Sequence, residues 1–132
     1  MPKKILVVDD EAQMKPLFEA RFRREISSGE VHLAFARSGE EALTVMPGSG
    51  VVLILSDINM PGMSGLELLR RIRAVNPQRP PAVVMITAYG DQNNRQQASH
   101  YGADDFLTKP IDFKLLKDKL TEFVVDDQPS AS

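Results

Sequence analysis

Val51-Val52-Leu53-Ile54-Leu55-Ser56-Asp57 is apolar for five residues, with no polar alternation, and then stops at an acid. A run this short, rich in β-branched residues and apolar on both faces, reads as a strand covered by helices on either side. Two more runs share that character: Ile5-Leu6-Val7-Val8, which meets Asp9 and Asp10, and Ala82-Val83-Val84-Met85-Ile86, which meets Thr87. Two weaker strands complete the set. Val31, Leu33 and Phe35 alternate in one, and Phe106-Leu107-Thr108 forms a short last one before Lys109.

Helical patterns fill the gaps. Met14, Phe18, Phe22 and Ile26 recur every four residues, Leu17 widens the stripe, and a first helix is expected over Lys15 to Ile26. Pro16 sits near its start, where a proline is awkward. Ser38 with Glu41 and Ser64 with Glu67 are capping-box patterns. The first opens a short helix stopped by Pro47-Gly48. The second opens a helix with Leu66, Leu69 and Ile72 inward that ends near Asn76-Pro77. Asp112 caps a last helix with Phe113, Leu116, Leu120 and Phe123 on its apolar face. The segment Asp91 to Tyr101 is so polar that only Ala98 and Tyr101 can anchor it, so it is expected to be the least stable helix.

Strand and helix thus alternate five times, which implies α/β architecture: a parallel sheet, helices on both faces, right-handed crossovers. The chain of 132 residues, 42% hydrophobic and 26% charged, suits one domain over residues 1–125, with 126–132 expected to be a disordered tail. Sixteen Lys and Arg against 18 Asp and Glu give a net charge of -2, which argues against a general nucleic-acid binder. There is no cysteine, so disulfides, thiolate metal sites and thiol nucleophiles are excluded. The two histidines, His32 and His100, are too few for a three-histidine zinc site and are expected on the surface. No signal peptide or membrane-spanning run is present, so a cytoplasmic protein is the expectation.

The chemistry-bearing residues fall where strands stop. In an open parallel sheet the carboxyl ends of the strands share one edge, and ligands bind there. That edge would gather Asp9, Asp10, Asp57, Thr87 and Lys109 whatever their separation in sequence. Strands lie about 4.8 Å apart, so the two steps from the third to the fifth span about 10 Å, within joint reach of a lysine and an aspartyl phosphate. Three acids in one crevice repel unless a cation sits among them. A hard divalent ion such as Mg²⁺ suits all-oxygen donors. An aspartate beside Mg²⁺ can act as a nucleophile toward a phosphoryl group, with Lys109 and Thr87 on the transferring oxygens. Taken singly, each residue also fits a plainer role: Asp9 and Asp10 as helix caps, Asp57 as a turn residue, Thr87 as a strand end, Lys109 as a solvated charge.

These motifs resemble the receiver domain of two-component response regulators, from Lys4 to about Val124. The resemblance rests on Val7-Val8-Asp9-Asp10-Glu11, Ser56-Asp57-Ile58-Asn59-Met60-Pro61-Gly62-Met63-Ser64-Gly65, Ile86-Thr87-Ala88 and Thr108-Lys109-Pro110, in that order. It implies a doubly wound, flavodoxin-like (βα)5 sandwich with strand order 2-1-3-4-5. It further implies that Asp57 is the phosphoacceptor, loaded by a histidine kinase or phosphotransfer protein. Asp9, Asp10, Asp57 and the backbone carbonyl of Asn59 would hold Mg²⁺, and Thr87 and Lys109 would contact the phosphoryl oxygens. Phe106 would be the aromatic switch, turning inward as Thr87 moves, although a plain core role also fits it. Lys109-Pro110 would be a cis peptide. Asn59 and Tyr89 would tune dephosphorylation, Tyr89 by shielding the acyl phosphate, unless it merely covers its loop.

Such a domain catalyses only its own phosphorylation and dephosphorylation. It acts on a downstream effector or fused output through the face of the fourth helix, fifth strand and fifth helix, a face that also forms homodimers in many relatives. The first helix is where kinase docking would be sought. Neither a membrane nor nucleic acid is an expected partner of this chain. Two other readings fit less well. A Mg²⁺-dependent aspartyl-phosphate phosphatase would need a second acid two residues past its nucleophile, where this chain has Asn59, and it lacks a cap insertion. A nucleotide or flavin binder would need a glycine- or hydroxyl-rich loop where Asp9-Asp10-Glu11 stands. A pseudo-receiver that accepts no phosphate is the remaining alternative.

Overall fold

The computed structural model of the chain describes residues 3–75, 81–88 and 90–124. Five strands, β1 (Lys3–Val8), β2 (Val31–Ala36), β3 (Val51–Asp57), β4 (Ala82–Thr87) and β5 (Asp105–Thr108), form one sheet in the order β2-β1-β3-β4-β5. Every neighbouring pair is parallel. The fold expected from the alternation and the resemblance is therefore the one found. The three apolar runs supply the central strands, whose residues Leu6, Val7, Leu53, Ile54, Leu55, Val84 and Met85 are all buried.

Side chains alternate across a strand, so the sheet feeds two cores. Ile5, Val7, Leu53, Leu55, Val84 and Ile86 face α1 (Met14–Arg21), α2 (Arg23–Ser27) and α6 (Phe113–Val124), meeting Met14, Phe18, Phe22 and Leu116. On the other face, Leu6, Val8, Ile54, Val83 and Met85 pack against α3 (Gly39–Val45), α4 (Gly65–Val75) and α5 (Gln92–His100) through Ala42, Leu68, Leu69, Ile72 and Ala98.

The expected first helix is two helices. Phe22 leaves helical geometry at φ −106° and ψ 18°, separating α1 from α2. Its amide still donates to the Phe18 carbonyl, and that of Ile26 to the Phe22 carbonyl, so the four-residue rhythm runs through the break. The stripe does not hold throughout: Leu17 and Ile26 are exposed at 37% and 38%. Pro16 is tolerated because it stands third in α1, where its missing N–H would have had no partner within the helix.

The caps form, with differences. Ser38 Oγ accepts from the Glu41 amide at 3.0 Å, but Glu41 Oε1 reaches back to the Arg37 amide, one residue beyond the usual box. Ser64 Oγ accepts from the Glu67 amide, while the Glu67 carboxylate turns to Arg70 and Arg71. Those two guanidiniums hold the Glu67 carboxyl down at about 2. Asp112 Oδ1 caps α6 through the amides of Lys114 and Leu115. Helix α5 has a single buried residue, Ala98, with Tyr101 packed at its end, as its polarity suggested. His32 and His100 are exposed. The expected helix stop at Asn76-Pro77, the side chain of Phe123, Tyr89 and the tail 126–132 lie outside the described residues. Among the described residues no helix is long and apolar enough to cross a membrane.

Candidate functional site

The register sets the site. Val8 pairs with Ser56, Asp57 with Ile86, and Thr87 with Thr108, so four strands end at nearly the same level. Asp9 and Asp10 follow β1, Asp57 ends β3, Thr87 ends β4, and Lys109 follows β5. Carboxylate oxygens of Asp9, Asp10 and Asp57 lie within 4.8 Å of one another. Lys109 Nζ donates to Asp57 Oδ2 at 2.9 Å and stands 3.9 Å from Asp9 Oδ2. The residues gathered by the strand-end argument are thus in one place.

Backbone donors orient two of the acids. The Glu11 amide donates to Asp9 Oδ1 at 2.9 Å and the Asn59 amide to Asp57 Oδ1 at 3.2 Å. Asp9 is buried at 4% exposure and Asp57 at 5%, whereas Asp10 is half-buried and Asn59 exposed. Burial pushes the Asp9 carboxyl above its ordinary value, and the charge of Asp57 adds to this against the opposing pull of the Glu11 amide and Lys109. For Lys109, burial works to lower the ammonium's value. The hydrogen bond and charge of Asp57, with Asp9 beyond, outweigh it and hold Lys109 above the ordinary lysine range.

Among the described residues two buried polar atoms at this edge find no hydrogen-bond partner: Asp9 Oδ2 and Thr87 Oγ1. Such atoms are costly unless something else pairs with them. The donor set around Asp9 Oδ2 is oxygen only, and three carboxylates with one ammonium leave a net negative crevice. That combination fits a hard divalent cation such as Mg²⁺, with Asp9, Asp10 and Asp57 as the residues able to hold it. Thr87, fully buried on β4 beside β3, carries the second of these two oxygens, a hydroxyl. The Lys109–Pro110 peptide is cis.

Phe106 is half-buried at the rim of the core beneath α5. Its ring is covered by the Arg95 guanidinium, 4.8 Å from the centroid. Nothing local in sequence marks Arg95, because the contact joins a helix to a strand. Gly65 closes the motif that runs on from the third strand, but its steric requirement shows only in the fold. A Cβ there would stand 2.8 Å from the Ile58 Cα and nearer still to the Asp57 carbonyl oxygen. Only a glycine lets α4 begin this close to Asp57. A glycine in the first turn of a helix, where alanine is better, was the available signal.

This geometry has known counterparts. The chain matches the response regulator receiver domain family over residues 5–121. It is 37% identical over 108 residues to the transcriptional regulatory protein ResD of Bacillus subtilis, covering 82% of this chain and 42% of ResD. It is 38% identical over 116 residues to the response regulator protein PilR of Pseudomonas aeruginosa, covering 88% of this chain and 25% of PilR. The chain therefore spans less than half the length of these curated relatives. A chain in the co-crystal structure of the Saccharomyces cerevisiae histidine phosphotransfer protein Ypd1 with the receiver domain of its downstream response regulator Ssk1 superposes with a TM-score of 0.86. The match has 25% identity, over 98% of this chain and 93% of that one. A response regulator structure from Chloroflexus aurantiacus gives 0.82 at 27% identity, over 95% and 99%. Matched along nearly all its length, with strand-end acids and lysine meeting on one edge, the chain belongs to the response regulator receiver domain family of two-component signalling.

Proposed function

We propose that the chain accepts a phosphoryl group on Asp57 from a phosphohistidine and changes its surface in response. The observation that carries this reading is the contact of Lys109 Nζ with Asp57 Oδ2 at 2.9 Å, inside a crevice where, among the described residues, Asp9 Oδ2 and Thr87 Oγ1 lack hydrogen-bond partners. An Asp57 oxygen attacks phosphorus as the bond from phosphorus to the histidine nitrogen breaks. The bonding pair leaves with the imidazole, which takes a proton from solvent, and an acyl phosphate remains on Asp57. Lys109 passes from the carboxylate to a phosphoryl oxygen, and Thr87 Oγ1 donates to another. Mg²⁺, held by Asp9, Asp10 and Asp57 with the Asn59 carbonyl as a further ligand, would supply charge neutralisation on those oxygens. Hydrolysis of the acyl phosphate restores the carboxylate, so the only reactions catalysed are on the chain itself.

The donor is a histidine kinase or a phosphotransfer protein, a partner class supported by the likeness to the Ypd1–Ssk1 structure. The output is a downstream effector or a fused domain, reached through the face of α5, β5 and α6, with Phe106 as the moving ring and a homodimer through that face as a further outcome. Asn59 and Tyr89 set how fast the phosphate is lost, residues 1–125 form the receiver unit, and the setting is the cytoplasm. The test is intact mass after incubation with acetyl phosphate and Mg²⁺, beside Asp57→Asn. A gain of one phosphoryl mass that needs Mg²⁺ and vanishes in the variant is expected. No gain, together with no binding of beryllofluoride, would leave the pseudo-receiver reading.

A further inference from the structure

We propose that Arg95 latches Phe106 in the half-buried position it holds in this structure and so sets how readily the chain switches, an inference that rests on the phosphoacceptor reading above. Arg95 is exposed on α5, and among the described residues it makes no ion pair within 4.0 Å. Its guanidinium lies 4.8 Å from the Phe106 ring centroid. Asp105, the adjacent acid in β5, is engaged by Lys119 from α6 instead. The arginine lies over the face of the ring, and at longer range its charge also helps lower the Asp105 carboxyl.

The β4–β5 register sets Met85 beside Phe106 and Thr87 beside Thr108, so Phe106 stands two residues before the strand position level with Thr87. Thr87 is fully buried, and its hydroxyl has no hydrogen-bond partner among the described residues. In the proposed switch that hydroxyl moves to a phosphoryl oxygen and the ring turns inward after it. A ring that turns inward withdraws its face from Arg95, and the stack is lost. The stack is made in one state and absent in the other, so it shifts the equilibrium by its own worth. For a partly exposed cation–π pair that is about two- to fivefold. Helix α5, anchored by Ala98 and Tyr101, gives the arginine a support that moves at little cost.

The test titrates beryllofluoride with Mg²⁺ into the full chain by calorimetry, for wild type, Arg95→Ala, Arg95→Lys, Phe106→Leu and the Arg95→Ala/Phe106→Leu double variant. Arg95→Ala is expected to bind about two- to fivefold tighter than wild type, with Arg95→Lys between them. In the Phe106→Leu background the same substitution changes nothing, because there is no ring to hold. Equal or weaker binding by Arg95→Ala overturns the latch, as does an undiminished gain without the ring, which would assign the effect to charge alone. Absence of binding by every chain overturns the phosphoacceptor reading and the latch with it.

Discussion

Gly65→Ala asks whether the position of the acceptor depends on how closely α4 approaches β3. In an ordinary helix this change is favourable by about 0.5–1 kcal/mol, because alanine has less backbone freedom to lose. Here the new methyl would stand 2.8 Å from the Ile58 Cα and 3.0 Å from the Asp57 carbonyl carbon. Both are backbone atoms, so no rotamer relieves the clash. Either the helix backs away or the end of β3 shifts. Backing away lengthens the bond from the Gly65 amide to the Ile58 carbonyl, now 2.8 Å, whose net worth is about 1 kcal/mol. Overpacking adds about 1–3 kcal/mol. Set against the helical gain, the net loss is about 1–3 kcal/mol.

The functional consequence follows from where the strain lands. Asp57 carries the crowded carbonyl, and a misplacement of about 1 Å at a reacting group costs up to about a hundredfold in rate. Urea unfolding would measure the stability, and intact mass against time with acetyl phosphate would measure the rate. Gly29→Ala is the control. Gly29 has φ +83° with open space around it, so alanine there costs about 1 kcal/mol of left-handed backbone and leaves the rate untouched. A Gly65→Ala chain as stable as wild type would refute the steric argument. A destabilised chain that is phosphorylated at the normal rate would show that the helix yields instead of the strand, and would sever the link to the acceptor.

Lys109→Met removes the cation 2.9 Å from Asp57 and 3.9 Å from Asp9, so calorimetry should show Mg²⁺ binding tightened by about fivefold, while phosphorylation slows. Weaker Mg²⁺ binding would contradict the view that lysine and metal share one field. Asp9, whose carboxyl is raised by burial, takes up its proton in the folded chain at a higher pH than in the unfolded one. The stability it contributes is therefore full below its ordinary unfolded value and is lost as pH rises through the raised folded value. Asp9→Asn should stabilise the metal-free chain at neutral pH and flatten that part of the profile, as thermal melts in a chelator would show; a lower melting temperature would count against it. Arg73 donates to the carbonyls of Gly102 and Pro81 and pairs with Asp104 Oδ2 at 2.7 Å, joining α4 to the start of β4 and to the loop between α5 and β5. Arg73→Ala should cost about 2–4 kcal/mol in urea unfolding, with acceptance of phosphate per folded molecule unchanged.

The sheet and the acid cluster were legible because each depends on a short local signal. An apolar run that ends in an acid announces both a buried strand and a group at its carboxyl end. Parallel topology then brings those ends together without any need to know the spacing. The break at Phe22 was not legible, because hydrogen bonds from Phe22 to Phe18 and from Ile26 to Phe22 keep the four-residue rhythm on both sides of it. The shifted capping box was hidden for a related reason. The sequence shows that Glu41 can reach back, but whether it takes the amide of Ser38 or of Arg37 depends on how β2 delivers the chain. Gly65 against Asp57 and Arg95 over Phe106 are contacts between elements, and no window along the chain contains both partners.

The way the molecule is packed also bears on where a signal from Asp57 would go. The strands that carry the acids, β1 and β3, are central, and their residues Leu6, Val8, Ile54 and Leu55 are fully buried with helices on both sides. Moving either strand would disturb both cores at once. The opposite side of the site is built differently. Strand β5 is four residues long at the sheet edge, and the helix before it buries only Ala98. Negative charge added at Asp57 repels Asp9 on one side and attracts Lys109 on the other, and the side that gives way is the one whose displacement costs least. Lys109 and Thr87 lead directly to β5 and to the ring of Phe106. Lys109 follows this four-residue edge strand directly and Phe106 lies within it, so on the proposed reading the lysine that would meet the phosphate and the ring that would report it share one short segment, where a single stacked arginine can bias the response.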